Sequence, residues 1–182
     1  MAYKGLTFLN LRQALFYLYY CGDAYRAMTE EERLAYAEVC YPYIIPMQQN
    51  FFNPIEASTK DTYIQYFIEK DERLTQDQNT YDKNVTFKLA TCTVRFIGAQ
   101  AEVWAKSFHH LTKRDDAGTI FLATCQGQSL ECIGDIRPTN VDFFGKNVSI
   151  AFDIEFKLQY VESLDLDWQP LGLVQLGRGT IQ

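Results

Sequence analysis

The chain has 182 residues with a hydrophobic content of 47% and an aromatic content of 15%, which suffices for the core of one domain. Its formal net charge of −6 argues against a nucleic-acid-binding protein, because phosphate contacts require lysine and arginine concentrated on one face. The adjacent basic residues Lys113 and Arg114 are followed at once by Asp115 and Asp116, so there is no basic run.

The chain begins with a predicted helix over residues 7–20, which Thr7 or Asn10 caps and Gly22 ends. Its apolar residues cover more than one face, so we expect it to be buried on most sides or to pack against a neighbouring chain. The segment is too short and too polar to span a bilayer, which requires about 20 apolar residues. An arginine and a glutamine interrupt the apolar run, which argues against a signal peptide.

A capping-box pattern that starts at Thr29 predicts a second helix over residues 29–40. Three prolines indicate an extended, irregular passage at 41–61. A strand is predicted at 62–70. The polar residues 71–82 lack periodicity, so they are predicted to form a loop or an exposed hairpin tip.

The strand predicted over 84–97 has an irregular apolar pattern. Its apolar residues are odd-numbered at first and even-numbered later: Val85, Phe87 and Leu89, then Cys92, Val94 and Phe96. Because alternate residues of a strand point to opposite faces, these two sets lie on different faces. Either a bulge near Ala90–Thr91 shifts the register, or the strand is buried on different faces along its length. We favour the second interpretation.

After a glycine hinge at Gly98, residues 99–113 are predicted to form an amphipathic helix. Its apolar stripe recurs at helical spacing: Ala101, Trp104, Ala105, Phe108 and Leu111. Glu102 and Lys106 form an i,i+4 pair on the solvent side. A turn at 115–118 is then expected.

Three strands are predicted in the remainder. The first two, at 119–125 and 129–136, are joined by a turn at Gln126-Gly127-Gln128, and a loop follows at 137–145. In the strand at 147–161 every even-numbered residue from Val148 to Tyr160 is apolar, and the residues between them are mostly polar, so one face is core and the other polar.

The predicted fold class is α+β: an antiparallel β-sheet with helices packed on one side, a long hairpin or extended strand, and an extended C-terminal tail. The expected order is α-α-β-β-α-β-β-β. Residues 1–161 are predicted to form one domain. Residues 162–182 form an extension that cannot build a core alone, so it adds an edge strand or reaches a neighbour.

Five cysteines occur without a Cys-x-x-Cys spacing: Cys21, Cys40, Cys92, Cys125 and Cys132. We interpret them as reduced, mostly buried thiols. The two histidines, His109 and His110, are adjacent, and adjacent helical residues point about 100° apart, which does not make a chelating pair. The sequence therefore predicts neither a metal site nor a cofactor.

Candidate catalytic groups are few. Asp153 and Glu155 lie two residues apart on one strand face, about 7 Å from each other. Paired carboxylates can perform acid–base chemistry, but a solvated strand face shared with Lys157 is the favoured interpretation. His109 and His110 are expected to face outward from their helix rather than to act as a base. We therefore expect a protein that is not an enzyme.

The ordered parts of residues 85–161 resemble the tail terminator family of tailed bacteriophages, also called tail completion or neck proteins. In that family a strand leads into a helix that starts Gly-x-x-Ala, then two short strands, an Arg-Pro or acidic loop and a long alternating strand follow. The corresponding segments here are VTFKLATCTVRFIG, AQAEVWAKSFHHL, TIFLATC, LECIGDI, RPTNVDFFGKN and VSIAFDIEFKLQY. The resemblance does not extend to the N-terminal helices or to the residues after Val161.

The resemblance implies a structural virion protein that forms a ring, usually a homohexamer, at the head–tail junction. Such a ring ends the tail tube and joins it to the head connector. The implied partners are further copies of this chain, the tail tube protein, a head-completion or connector protein, and a sheath protein where the tail has one. DNA would pass through the channel without specific binding, and no membrane is involved. The chain would be made in the host cytoplasm.

Contacts with neighbouring chains are expected in the loop 71–82, on the polar face of the long strand and in the C-terminal tail. The expected interface residues are Arg73, Asp77, Tyr81, Asp153, Glu155, Lys157, Trp168, Leu171 and Leu173.

Two alternatives remain open at this point. The first is a tail-tube or head–tail adaptor protein. The second, of a different class, is a small cytosolic α+β ligand-binding domain or enzyme, with Asp153, Glu155 and the histidines near a pocket between sheet and helices.

Overall fold

A computed structural model gives the structure of the protein and describes residues 2–46, 62–75, 78–79, 83–143 and 146–165. The predicted α+β class is confirmed. The elements are β1 (Ala2–Lys4), α1 (Phe8–Tyr20), α2 (Asp23–Ala27), α3 (Glu30–Cys40), β2 (Ile44–Pro46), β3 (Thr62–Arg73), β4 (Gln78–Asn79), β5 (Lys83–Gly98), α4 (Ala101–Thr112), α5 (Asp115–Cys125), β6 (Gly127–Phe143) and β7 (Lys146–Asp165). A 3₁₀ turn at Tyr41–Tyr43 precedes β2.

The strands form one sheet in the order β1-β7-β5-β3-β2, with β4 also paired to β5 and β6 also paired to β7. All of these pairs are antiparallel except β2 with β3, which is parallel. The ladder between β5 and β7 runs without a break over fifteen residue pairs, from Lys83 opposite Asp165 to Ile97 opposite Ala151. These two strands are the centre of the sheet.

Helices α1, α4 and α5 pack on one face of this sheet and form the main core with it. The predicted stripe of α4 is confirmed: Ala101, Ala105 and Phe108 are buried, and Trp104 and Leu111 pack against the core. The Phe108 ring lies 5.6 Å from that of Phe156 on β7. The opposite face, which carries the odd-numbered residues of β5 and β7, is called the helix-free face below.

Two predicted helix starts are confirmed in detail. The Thr7 hydroxyl accepts a hydrogen bond from the Asn10 amide at 3.1 Å, so it caps α1. Before α3, the Thr29 and Glu32 side chains each bond the other residue's backbone N–H, which is a complete capping box. Helix α1 ends at Tyr20, and Gly22 precedes the short α2, which was not predicted.

The irregular pattern of apolar residues in β5 is not caused by a bulge in that strand. Strand β5 keeps its register against β7 throughout, so the predicted alternative of a bulge at Ala90–Thr91 is wrong. The extra residue is Glu69 of the neighbouring β3, between Ile68 and Lys70. The even-numbered apolar residues of β5 are buried beneath the helices, and the odd-numbered ones lie half-buried on the helix-free face: Val85, Phe87 and Leu89.

The predicted strand at 119–125 is wrong, because these residues belong to α5. Ala117, Phe121 and Cys125 recur every four residues and are buried, which is helical spacing; a short apolar run alone does not distinguish a helix from a strand. The helix ends at Gln126, whose φ of 55° is in the left-handed region, where the predicted turn was placed.

The predicted loop at 137–145 is also wrong, because β6 continues to Phe143. Pro138 lies in a strand whose outer edge pairs with no other strand among the described residues, and proline in a sheet is confined largely to such edge strands. Strand β3 likewise extends to Arg73, into the segment predicted to be a loop or hairpin tip.

The predicted long strand is confirmed as β7, and it exceeds the prediction at both ends. Residues 146–150 extend past the end of β5 and pair only with β6, among the strands described. At the other end Leu164 lies opposite both Tyr3 and Asn84, so β7 continues beyond the predicted boundary at Val161. Strands β1 and β2 were not predicted. The rest of the predicted C-terminal extension, 166–182, lies outside the described residues, as does 47–61.

Candidate functional site

The polar row of β7 forms the centre of the helix-free face. Asp153, Glu155 and Lys157 alternate with the buried Ile154, Phe156 and Leu158, as the pattern predicted. The row is less exposed than a solvated strand face, because the Asp153 and Glu155 side chains are only 18% and 28% accessible. Neighbouring strands on both sides supply the groups that shield them.

Asp153 is held by a two-point ion pair. The Arg95 guanidinium on β5, directly opposite in the ladder, donates from Nε and Nη2 to the two carboxylate oxygens, each at 2.7 Å. The hydrogen bond to Asp153 raises the pKa of Arg95. Such charge-assisted, two-point pairs are the strongest hydrogen bonds in proteins, so this pair fixes β5 and β7 side by side on this face.

The other charged side chains of this face also lie beside a side chain of opposite charge or a hydroxyl group. Glu155 lies 3.9 Å from Arg137 of β6, and Glu131 of β6 is directly opposite Lys157. On the other side, the Thr93 hydroxyl donates to Glu69 at 2.6 Å. The helix-free face therefore carries a band of charge that is largely neutralised within the subunit.

A shallow depression of about 90 Å³ lies within this band, lined by Phe67, Glu69, Thr93, Arg137, Asp153 and Glu155. Sites for small molecules usually have volumes of about 300–1,000 Å³. Asp153 accepts from Arg95 and Glu69 accepts from Thr93, while Glu155 lies within ion-pair distance of Arg137. The arrangement can bind water or the edge of a partner, but it offers little room for a substrate.

The histidines do not belong to this site. His109 and His110 lie in the last turn of α4, which packs on the opposite face of the sheet. The pocket that the enzyme alternative requires, with Asp153, Glu155 and the histidines together, is therefore contradicted, because the sheet separates them. Among the described residues, no group of three or more histidine, cysteine, aspartate or glutamate residues could hold a metal ion.

The five cysteines are free thiols, as predicted: Cys40, Cys92 and Cys125 are buried, and Cys21 and Cys132 are half-buried. Burial raises the pKa of Cys21 to about 12 and that of Cys125 to about 11. Thiols with raised pKa values are poor nucleophiles at neutral pH, because the reactive form is the thiolate.

Of the other expected interface residues only Arg73 is described, and it does not join this band. Arg73 is exposed at the end of β3, opposite Lys88. Asp77, Tyr81, Trp168, Leu171 and Leu173 lie outside the described residues. Sequence reasoning missed Arg95, Arg137 and Glu69. For Arg95 alone the sequence contained a signal, because its odd number places it on the same face of the strand as Phe87 and Leu89.

The chain matches no model of a known protein family, and no curated protein is significantly similar to it. No helix within the described part of the chain is long and apolar enough to cross a membrane.

Proposed function

We propose that the protein is a structural subunit that forms a ring at the head–tail junction of a tailed bacteriophage, where it ends the tail tube and joins it to the head connector. One observation carries the proposal: β5 passes through Gly98 directly into α4, and the long β7 pairs with β5 along its length, in the order of the tail-terminator pattern. The φ of Gly98 is 118°, a conformation that favours glycine at this strand-to-helix turn.

One part of the fold departs from the pattern. The family pattern has two short strands after the helix, whereas here the first of these positions is α5 and the second is the long β6. The proposal therefore rests on β5, Gly98, α4 and β7, and α5 is not part of the pattern.

The helix-free face supports an assembly role over catalysis. Its carboxylates have charged or hydroxyl partners, and its depression is small for a substrate. In the proposed ring, further copies of the chain, the tube protein and the connector contact such surfaces. DNA passes the acidic subunits without specific binding, since phosphate binding requires a basic surface.

The proposal is tested with the full-length protein and tail tubes assembled from the cognate tube protein. Light scattering after size-exclusion chromatography gives the mass in solution, and negative-stain images show whether rings seat on tube ends. The expected result is a closed ring, in solution or on the tube, that stops further tube growth. A strict monomer that also fails to join tubes would refute the proposal.

The same experiment separates the related alternative. A tail-tube protein would polymerise into tubes of its own, and an adaptor would bind the connector but leave tube growth unchanged. Capping of growing tubes is expected only of a terminator.

A further inference from the structure

Helix α3 is anchored to the core along one side only. Cys40 is its one fully buried residue, and Tyr36 and Ala37 are half-buried against the main core. Leu34 and Val39 are 63% and 65% exposed, so these apolar side chains are open to solvent. They belong to a set of six exposed residues that covers the half of the helix away from the core, called the outer face of α3 below: Glu30, Glu31, Leu34, Ala35, Glu38 and Val39.

The outer face of α3 is acidic and contains no basic residue. Among the described residues, its three glutamates take part in no ion pair. The one basic residue of the helix, Arg33, is held on the other side. Its guanidinium donates to the backbone carbonyls of Tyr25 at 3.2 Å and Arg26 at 2.6 Å, and it lies over the Tyr25 ring. Arg33 therefore does not neutralise the outer face.

Glu38 lies where a negative charge is unfavourable. It is in the last turn of α3, at the negative end of the helix dipole, and no basic residue occupies that turn. The glutamates in the first turn are stabilised by the dipole, whereas Glu38 is not. A cation that approaches this end of the helix would be attracted by both the carboxylate and the dipole.

The exposed apolar residues lie between these charges. Leu34 and Ala35 are adjacent, and Val39 lies one turn beyond Ala35. Glu31 comes one turn before this apolar group, and Glu38 lies one turn beyond Leu34. At about 1.5 Å per residue the face is roughly 16 Å long, which fits one short helix or extended segment. A contact of this size is smaller than a standard interface of about 800 Å² per partner, so we expect weak, reversible binding.

We propose that the outer face of α3 binds a cationic, amphipathic segment of another protein, in which lysine or arginine side chains flank apolar ones. The sign of the charge decides between the possible occupants. Nucleic acid and anionic membrane surfaces would be repelled by the glutamates. A second copy is a poor match because the chain has no basic run, and Lys113 and Arg114 are followed by two aspartates. A basic segment would neutralise the glutamates and cover Leu34 and Val39.

A labelled peptide tests the proposal on the full-length protein. The probe is a fluorescein-labelled peptide of about four helical turns, with leucines on one face and lysines on the other, and fluorescence anisotropy gives its dissociation constant. Two variants change the outer face, Glu38→Lys and Leu34→Ser. Their controls are on α4: Glu102→Lys changes the net charge equally, and Val103→Ser removes an apolar side chain that is also 63% exposed. Circular dichroism checks the fold of each variant.

We expect the wild type to bind the peptide with a dissociation constant of about 10–100 μM at low salt, and more weakly as salt screens the charges. Glu38→Lys should raise this constant about 10-fold, because repulsion replaces attraction. Leu34→Ser should raise it about 5-fold through the loss of apolar contact. Each control should change it by less than about twofold. Lysine in the last turn suits the helix dipole, so Glu38→Lys should not unfold α3.

Four results would overturn the proposal. The first is no binding of the peptide at low salt up to about 300 μM protein, well above the expected dissociation constant. The second is an equal loss with Glu38→Lys and Glu102→Lys, which would mean that the peptide responds only to net charge. The third is wild-type binding by Leu34→Ser, which would mean that the apolar side chains make no contact. The fourth is self-association of the wild type that Glu38→Lys and Leu34→Ser abolish in sedimentation velocity, because a second copy would then cover the face.

The outer face of α3 and the proposed function fail independently. The N-terminal helices lie outside the segments that match the tail-terminator pattern, so this contact does not rest on that pattern. Glu38→Lys should therefore still form rings that cap tubes. Peptide binding without capping would refute only the proposed function, and capping without peptide binding would refute only the contact.

Discussion

The ion pair between Arg95 and Asp153 gives the clearest test at the scale of single residues. Both side chains are only 18% accessible, so neither charge is fully hydrated without the other. We expect Arg95→Met to lower the free energy of unfolding by about 2 kcal/mol, because the Asp153 carboxylate loses its charged donor. Chemical denaturation measures this directly.

The double variant Arg95→Met with Asp153→Leu is the matched control. It removes both charges, so it should lower the free energy of unfolding by less than Arg95→Met alone. The single variant leaves a half-buried carboxylate without its partner. If the single variant is as stable as the wild type, the pair does not hold the two strands together.

Glu32 provides a pH test at the same scale. Hydrogen bonds from the Thr29 backbone and hydroxyl lower its pKa below the usual value. A lowered pKa in the folded state means that the contribution to stability is present above the unfolded pKa of glutamate and lost as the pH falls through the folded pKa. Thr29→Ala removes the hydroxyl donor and keeps the backbone donor, so it should raise the pKa of Glu32 part of the way towards the usual value, as measured by NMR titration. An unchanged pKa would show that the Thr29 hydroxyl does not bond Glu32 in solution.

Single residues also show what the sequence could not predict. Alternation placed Asp153, Glu155 and Lys157 on one face correctly, since it depends only on the strand period. Their partners were missed because Arg95 lies 58 positions from Asp153 in the chain. Which residues of two long strands meet depends on register, and a shift of two residues preserves every face while changing every partner.

At the scale of elements, the bulge in β3 predicts how the strand responds to deletions. Because Glu69 is the extra residue, deleting it should leave the pairs on both sides intact: Ile68 with Cys92 and Lys70 with Thr91. Asp71 would keep its place at the Tyr160 hydroxyl, from which it accepts at 2.9 Å. Because the hydrogen bond from Thr93 to Glu69 is lost, the free energy of unfolding should fall by about 1 kcal/mol. Thermal unfolding measures it.

Deleting Gln65 from the regular part of β3 is the control. That deletion would force one end of the strand to the wrong face, with Ile64 leaving the core. We expect a much lower melting temperature than for the Glu69 deletion. Equal losses for the two deletions would contradict the placement of the bulge.

The elements differ in how well the sequence predicts them. Helices α1, α3 and α4 were predicted because a cap or an apolar stripe marks each of them. The run TIFLATC was predicted as a strand, and a short apolar run of this length is compatible with either a strand or a helix. Its helical spacing becomes visible only when Ala117 is included, and the core below it determines the outcome.

At the scale of the whole molecule, the charge predicts behaviour towards DNA. With a net charge of −6, and with Lys88 and Arg95 paired to carboxylates, the protein should not bind double-stranded DNA at physiological salt. Fluorescence anisotropy with a labelled duplex should show no change up to high micromolar protein, with a basic protein of similar size as the control. A salt-sensitive complex at low micromolar protein would contradict this expectation and the proposed passage of DNA.

The overhang of the β6–β7 hairpin has a consequence for exchange with solvent. Residues 151–160 of β7 have strands on both sides, whereas residues 146–150 have only β6 among the strands described. Backbone amides with a single row of partners open with a smaller free energy than those at the centre of a sheet. In deuterated water the hairpin end should therefore label first and the Ala151–Tyr160 stretch last. Any partner that binds the overhang would slow this exchange. Deuterium uptake at one short segment therefore reports assembly without an attached dye or a mutation.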